Sequence, residues 1–268
     1  MNSDVKKVIE KWYKTLGFSN KHDQEFYSAL NTYDISADLT VDSYDLSCKD
    51  GLKNLLYFLY FCEETQNKYK ELKVSSDILI DTLKDICIWT DIWSSVKGSL
   101  CLFELAWLKL HLKAKLFKIG RLEYYMASAE RDIDSLGVKK GDNIIEIHIP
   151  SGEKLTTHNC KASITLAKEF FKKHFTSYEY KCFTCHSWLL DETLNKYLSS
   201  NSGIIKFSSL FDKVYSNESY SILKYVISWD TTTENLIEKT PVSSFATSIK
   251  QAVLNGEKFY ETLGYIKK

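Results

Sequence analysis

The hydrophobic residues of the first 117 positions recur every three or four residues, which is the spacing of helices that bury one face. Ser3 can cap the first helix, and Gly17 ends it. The segment 51–69 is apolar nearly all round at its start, which predicts a buried central helix. The predicted helices cover residues 4–16, 21–30, 51–69, 78–96 and 100–117.

The pattern changes at Gly120, beyond which short segments alternate or run apolar in the manner of strands. Strands are predicted at 121–126, 143–149, 181–190, 204–215 and 223–229, and helices at 160–175, 191–198 and 243–254. This order of elements predicts a mixed sheet packed against helices. We therefore expect an α+β protein, with an all-helical N-terminal domain over residues 1–118 and an α/β domain over residues 119–268.

Composition narrows the class of protein. A hydrophobic share of 44% in 268 residues is enough to fill a sizeable core, and 35 basic residues balance 35 acidic ones. That balance gives no support to nucleic-acid binding by counterion release. The seven cysteines are odd in number, the chain does not open on a signal peptide, and the apolar stretch 52–62 is too short to span a bilayer. We expect a soluble cytoplasmic protein with free thiols.

Two segments carry a resemblance to a known family. One holds "LFKIGRLEYY" and "IIEIHIP", and the other holds "SITLAKEFFKKHF" and "CHSWLLDETL", followed by "SNSGIIKF". Together they resemble bacterial acyltransferase-domain proteins, in which a helical N-acyltransferase-type N-terminal domain precedes a GNAT-like C-terminal domain. The resemblance covers nearly the whole chain.

The resemblance implies transfer of an acyl group from a thioester to an amine or hydroxyl acceptor. The implied co-substrate is acyl-CoA or CoA, with no metal, and an acyl carrier protein is the alternative donor. One departure matters, because GNAT enzymes hold the CoA diphosphate with a glycine-rich turn, and here that connection is "SGEKLTTHNCKAS". Either another arrangement holds the phosphates, or CoA binding has been lost or replaced by a carrier protein.

The same connection leads into the N-terminus of the helix predicted at 160–175. Free amide groups and the helix dipole make such a terminus an anion site, for which an ordinary capped helix is the alternative. The predicted cofactor-binding residues, which supply charge or hydrogen-bond donors there, are Lys154, Asn159, Lys161 and Ser163.

The strand at 143–149 places Glu146 and His148 on one face, opposite three isoleucines. Histidine titrates near working pH, so His148 is the predicted general base and Glu146 the residue that orients or tunes it. A surface pair, or a structural histidine under a helix, is the alternative. In the next strand, His186 is a second predicted catalytic residue, which reaches the same cleft if the two strands are parallel.

The cysteines of this strand suggest other chemistry. Cys185 is a possible nucleophile, but alternation turns its neighbour His186 to the opposite face. "CFTCH" matches a haem-attachment pattern weakly, and zinc ligands would have to come from Cys160, Cys182, Cys185 and His158. We expect neither group.

The sequence thus predicts direct attack of an acceptor on an acyl thioester, without metal or covalent intermediate. The competing hypothesis is a non-catalytic GNAT-like protein that binds a ligand or partner, which the missing glycine-rich turn favours.

Overall fold

The helical spacing of the N-terminal half is realised in the computed structural model, which describes residues 3–268. The chain divides into two units, one up to Lys118 and one from Ile119 onward. The helices of the first unit are α1 (Ser3–Leu16), α2 (Asp23–Thr32), α3 (Gly51–Glu71), α4 (Ser76–Leu83), α5 (Asp85–Lys97) and α6 (Leu105–Leu112).

Helix α3 is the buried helix of the first unit, as its apolar sequence predicts. The Asp50 side chain accepts a hydrogen bond from the Lys53 amide and caps the helix. Leu55, Leu56 and Leu59 are fully buried. A helix with apolar residues around most of its circumference cannot lie on a surface, so α1, α2, α4 and α6 pack around it.

Two helix predictions in this unit are wrong in their extent. The segment 78–96 is interrupted at Lys84 and forms α4 and α5. The segment 100–117 is helical only in α6, because Glu104 and Ala114 adopt left-handed backbone angles, with φ of 58° and 52°. Its last residues form the first strand of the sheet.

The second unit contains a six-stranded mixed sheet. Its strands are β1 (Leu116–Ile119), β2 (Leu122–Ser128), β3 (Asn143–His148), β4 (Cys182–Ser187), β5 (Asp212–Glu218) and β6 (Tyr260–Lys267). The strand order is β1-β2-β3-β4-β6-β5, in which β3 and β4 are parallel. Strands β2 and β3, β4 and β6, and β5 and β6 pair in the antiparallel sense.

Four helices accompany the sheet, α7 (Thr157–His174), α8 (Gly203–Ser208), α9 (Ile222–Val226) and α10 (Ser244–Leu254). Helix α7 packs its phenylalanines on one face of the sheet, where Phe171 contacts Tyr124 of β2. It begins earlier than the predicted start at residue 160, because Thr156 is the capping residue. The Thr156 side chain accepts a hydrogen bond from the Asn159 amide.

Two strand predictions in the last third of the chain are wrong. The segment 204–215 begins as helix α8, which Ser202 caps through the Ile205 amide, and becomes strand β5 only at Asp212. The segment 223–229 is largely helix α9. Strand β6, which the sequence analysis misses, lies between β4 and β5. In residues 3–268 no helix combines the length and the apolarity needed to cross a membrane.

Candidate functional site

The sheet opens between its two parallel strands. Strands β3 and β4 are joined by the Lys181 amide, which donates to the Asn143 carbonyl, and their pairing ends where Glu146 lies opposite Thr184. Beyond that point β3 stays paired with β2 as far as His148, and β4 stays paired with β6 as far as Ser187. The two strands therefore part at their carboxyl ends, which is where ligands enter open α/β sheets.

Glu146 and His148 lie together at this opening. His148 Nε2 is 3.8 Å from Glu146 Oε1, and each side chain is about a quarter exposed, at 26% and 27%. Period-two alternation puts both on the face that α7 does not cover. The pair can therefore reach a molecule that enters between β3 and β4.

Burial changes the chemistry of Glu146. It raises the pKa of this carboxyl to about 7, and the negative charge of Glu130 adds to the increase. A carboxylate with this pKa accepts protons efficiently near neutral pH. Glu146 itself thus has the properties of a general base, a role that the sequence analysis gives to His148.

His186 makes its hydrogen bond elsewhere. It lies on β4 two residues beyond Thr184, and its side chain is exposed. Its Nε2 atom is 3.2 Å from Asn217 Oδ1 on β5, and this is its hydrogen bond within the described part of the chain. The structure therefore places His186 on the β4 side of the opening and does not join it to Glu146 or His148.

Arg121 holds the connection between β3 and α7 by hydrogen bonds. This side chain is 5% exposed and donates to three backbone carbonyls, those of Pro150 (3.0 Å), Glu153 (2.9 Å) and Lys154 (3.3 Å). The "GRLEY" segment thus places a guanidinium under the loop that corresponds to the glycine-rich turn of GNAT enzymes. Sequence reasoning did not assign Arg121 to the site, because the bonds join residues about 30 positions apart.

A cleft of about 540 Å³ opens beside this loop. It is lined by residues 154–157 at the start of α7 and by residues 201–204 and Lys206 at the start of α8. Two lysines, Lys154 and Lys206, line it together with the hydroxyl residues Thr157 and Ser202. The cleft combines positive charge with hydrogen-bond donors, which suits an anionic ligand.

Close packing at Gly203 sets the width of this cleft. A Cβ atom at position 203 would lie 2.1 Å from the Leu155 carbonyl oxygen, which is closer than any real contact. Only glycine lets the start of α8 approach the loop so closely. The "SNSG" segment, with a capping serine before glycine, is the sequence signal that could have located this half of the cleft.

The four predicted cofactor-binding residues are not all in the cleft. Lys154 lines it, whereas Asn159 and Lys161 are exposed on the first turns of α7 and do not line it. Ser163 is fully buried, where its Oγ accepts from the Leu122 amide (3.1 Å), lies 2.8 Å from the Tyr124 hydroxyl and donates to the Ile119 carbonyl. These bonds hold α7 to β1 and β2, so the structure places Ser163 in the interior and not among the residues that line the cleft.

The cysteine chemistry considered above finds little support in the geometry. Cys182 and Cys185 are fully buried on opposite faces of β4. Burial raises the pKa of Cys182 to about 11 and raises that of Cys185 further, with a contribution from the charge of Glu146. Both thiols are thus protonated at neutral pH, which does not suit a nucleophile, and their position on opposite faces of β4 does not suit a shared metal ion.

Comparisons with known proteins assign both parts of the chain to known domain families. Residues 3–114 match the N-acyltransferase N-terminal domain, and residues 116–266 match the GNAT-like C-terminal domain. No curated protein matches the sequence significantly.

The similar solved structures include acyltransferases in complex with acyl-CoA. One is in complex with decanoyl-CoA and teicoplanin, with 22% identity, a TM-score of 0.71, and coverage of 81% of this chain and 66% of that one. Another is a mutant acyltransferase in complex with octanoyl-CoA, with 18% identity and a TM-score of 0.81. That match covers 97% of this chain and 88% of the other chain. This chain therefore spans just under two thirds of the length of the first.

These matches confirm the predicted fold class, a helical N-terminal region followed by a GNAT-like mixed sheet. The GNAT-like match alone covers more than half of the 268 residues. The chain belongs to the family of proteins with a GNAT-like C-terminal domain, here preceded by an N-acyltransferase N-terminal domain.

Proposed function

We propose that this protein transfers an acyl group from acyl-CoA to an amine or hydroxyl acceptor by direct attack on the thioester. The observation that carries the proposal is the opening of the sheet between β3 and β4, with a carboxyl of raised pKa on its edge. The acyl-CoA ligands of the similar acyltransferases support the choice of donor.

The donor's diphosphate would bind in the cleft between the loop at 154–157 and the start of α8. Lys154 and Lys206 supply positive charge, and the first amides of α7 add the positive end of a helix dipole. A diphosphate there leaves the thioester end of the donor free to lie between β3 and β4.

The chemistry would need one proton acceptor and one oxyanion site. The acceptor nitrogen or oxygen attacks the thioester carbonyl carbon, and Glu146 takes its proton, directly or through a water molecule. The C–S bond then breaks, and the departing sulfur takes up a proton to give free CoA and the acylated acceptor. His148 positions the Glu146 carboxylate, and backbone amides on the open edge of β3 stabilise the oxyanion.

The first test is the melting temperature of the purified protein with acetyl-CoA, longer acyl-CoAs and free CoA. A ligand that binds only the folded state must raise the melting temperature. We expect a rise with CoA and a larger one with a preferred chain length. A protein that melts identically with all of them, at concentrations far above ordinary cofactor affinities, contradicts the proposed donor.

Turnover tests the catalytic half of the proposal. CoA release is measured by chromatography with a panel of amine and hydroxyl acceptors. We expect Glu146→Gln to lower kcat by about 100-fold or more while donor binding is retained. His158→Ala, which changes an exposed histidine of α7, is the matched control. Full turnover in both Glu146→Gln and His148→Ala variants contradicts the assigned base.

A non-catalytic binding protein is the second candidate, favoured by the absence of the glycine-rich turn. It predicts that CoA raises the melting temperature while no acceptor yields product. If the protein binds an acyl carrier protein and does not bind CoA, the acyl donor is the carrier protein and not acyl-CoA.

We further propose that residues 1–118 and 119–268 are separate domains and that the protein works in the bacterial cytoplasm. The two compact units support the first statement, and seven free cysteines support the second. Calorimetry tests the domains, since two domains of different stability give two unfolding transitions. Cell fractionation tests the location.

A further inference from the structure

We propose that Arg121 is the positioning residue of the donor site and replaces the glycine-rich turn by orienting the amide groups that bind the donor's diphosphate. This inference rests on the proposed function, and it assigns a role to a residue that does not line the cleft.

The argument starts from peptide geometry. In a trans peptide, the carbonyl of one residue and the amide of the next point in opposite directions. No cis peptide bond occurs between residues 3 and 268. Because Arg121 draws three carbonyls of the loop inward, the following amides, those of Ser151, Lys154 and Leu155, must point outward.

These outward amides are available to a ligand. None of the three donates a hydrogen bond to any atom of residues 3–268. Lys154 and Leu155 also line the cleft, as does Thr157, whose buried Oγ1 has no hydrogen-bond partner within the same residues. Donors that face a cleft and lack a protein partner are the usual feature of an anion site.

An arginine side chain can hold three backbone carbonyls of the loop at once, and a lysine side chain cannot. The guanidinium offers five N–H donors in a fixed plane, so one side chain can hold three carbonyls in defined positions. Its hydrogen-bond partners here are neutral carbonyls, and the carboxylates of Glu153 and Glu123 lie close enough to interact with its charge. The choice is notable in a chain that has only two arginines, Arg121 and Arg131, among 35 basic residues.

The competing explanation is that Arg121 only stabilises the fold of the loop. Two acyl donors, one with a diphosphate and one without it, distinguish this explanation from the positioning role. Acyl-CoA carries the diphosphate, whereas the matching acyl-pantetheine has the same thioester without it. We expect Arg121→Met to raise KM for acyl-CoA by about ten-fold or more, with KM for acyl-pantetheine and kcat changed less than about two-fold.

Two further variants complete this comparison. Arg121→Lys should restore only part of the acyl-CoA affinity, because one ammonium cannot hold three carbonyls. Arg131→Met, which removes the other arginine from its position over the Tyr215 ring, should bind both donors as the wild type does. Equal losses with both donors, or no loss with either, overturn the inference.

A measurement on the wild-type protein covers the case in which the Arg121 variants do not fold. The amide signals of nitrogen-labelled protein are followed by NMR during titration with CoA and with inorganic pyrophosphate. We expect the Lys154 and Leu155 amides to shift with both ligands. Binding of CoA without a change at these amides overturns the inference alone, whereas absence of CoA binding and turnover overturns the proposed function as well.

Discussion

Single side chains in this protein differ in role because of what surrounds them, even where the sequence makes them look equivalent. Glu146 and Glu169 are both glutamates in regular elements, but Glu146 is largely buried at the edge of the open sheet and Glu169 is exposed on α7. Burial raises the pKa of Glu146 to about 7, helped by the charge of Glu130. The buried glutamate can thus exchange protons at neutral pH, which is the property that the proposed transfer requires.

The charge of Glu130 gives a test of this proton transfer. If Glu146 is the base, kcat/KM rises with pH through the pKa of its carboxyl, because only the ionised form accepts a proton. Glu130→Gln removes one of the causes that raise this pKa, so the rise should move to lower pH and activity at about pH 6 should increase. The measurement is the pH profile of kcat/KM, with Glu169→Gln as the control. A profile that does not move would exclude Glu146 as the group that titrates.

Ser163 illustrates the opposite case, a polar residue with a structural role. Ser163→Ala removes the acceptor of the Leu122 amide and the partner of the buried Tyr124 hydroxyl. We expect a loss of roughly 2–4 kcal/mol in the free energy of unfolding, with donor KM unchanged. Urea denaturation and donor kinetics check both parts, with the exposed Thr165→Ala on the same helix as control. A large increase in KM for the acyl donor in the Ser163→Ala variant would show that Ser163 contributes to donor binding.

At the scale of elements, the start of α8 and the β3–α7 loop form the walls of one cleft. Their separation is fixed by Gly203, whose Cα faces the Leu155 carbonyl with no room for a side chain. Substitution there moves backbone against backbone, which cannot be relieved by a change of rotamer.

Gly203→Ala should therefore displace α8 from the loop and move Lys206 away from Lys154. We expect donor KM to rise by about three-fold or more, because two charges no longer act on one diphosphate. Donor titration is the measurement, and Ser209→Ala just after α8 is the control. Unchanged donor binding in a well-folded Gly203→Ala protein would show that α8 does not contribute to the donor site.

On the scale of the whole molecule, the buried carboxyl of Glu146 couples stability to pH. Its pKa is raised from the ordinary glutamate value of 4.5 to about 7 in the folded protein, so the folded state binds more protons between these values. Stability from this group is therefore fully present below about pH 4.5 and is lost as pH rises through about 7.

Glu146→Gln should remove this dependence. The difference in unfolding free energy between the variant and the wild type should grow between about pH 5 and about pH 8 by roughly 2 kcal/mol. This figure is below the full linkage value because the side chain is about a quarter exposed. Urea denaturation at both pH values is the measurement. The same pH dependence in both proteins would contradict the raised pKa of Glu146.

The sequence by itself determined the elements whose signal is local. Helix α3 and helix α1 follow from the three-to-four-residue spacing of their apolar positions, and the shared face of Glu146 and His148 follows from strand alternation. The resemblance in "GRLEY" and "CHSWLLD" also indicated the GNAT-like fold, which the comparisons confirm.

Only the tertiary structure decided the rest, because the remaining features depend on contacts between distant residues. The apolar runs in α8 and α9 suit strand or helix equally, and β6 exists because β4 and β5 both pair with it. The opening between β3 and β4 is a property of pairing, and the three carbonyls on Arg121 come from residues 29 to 33 positions away. A pKa near 7 likewise needs burial, which no local spacing specifies.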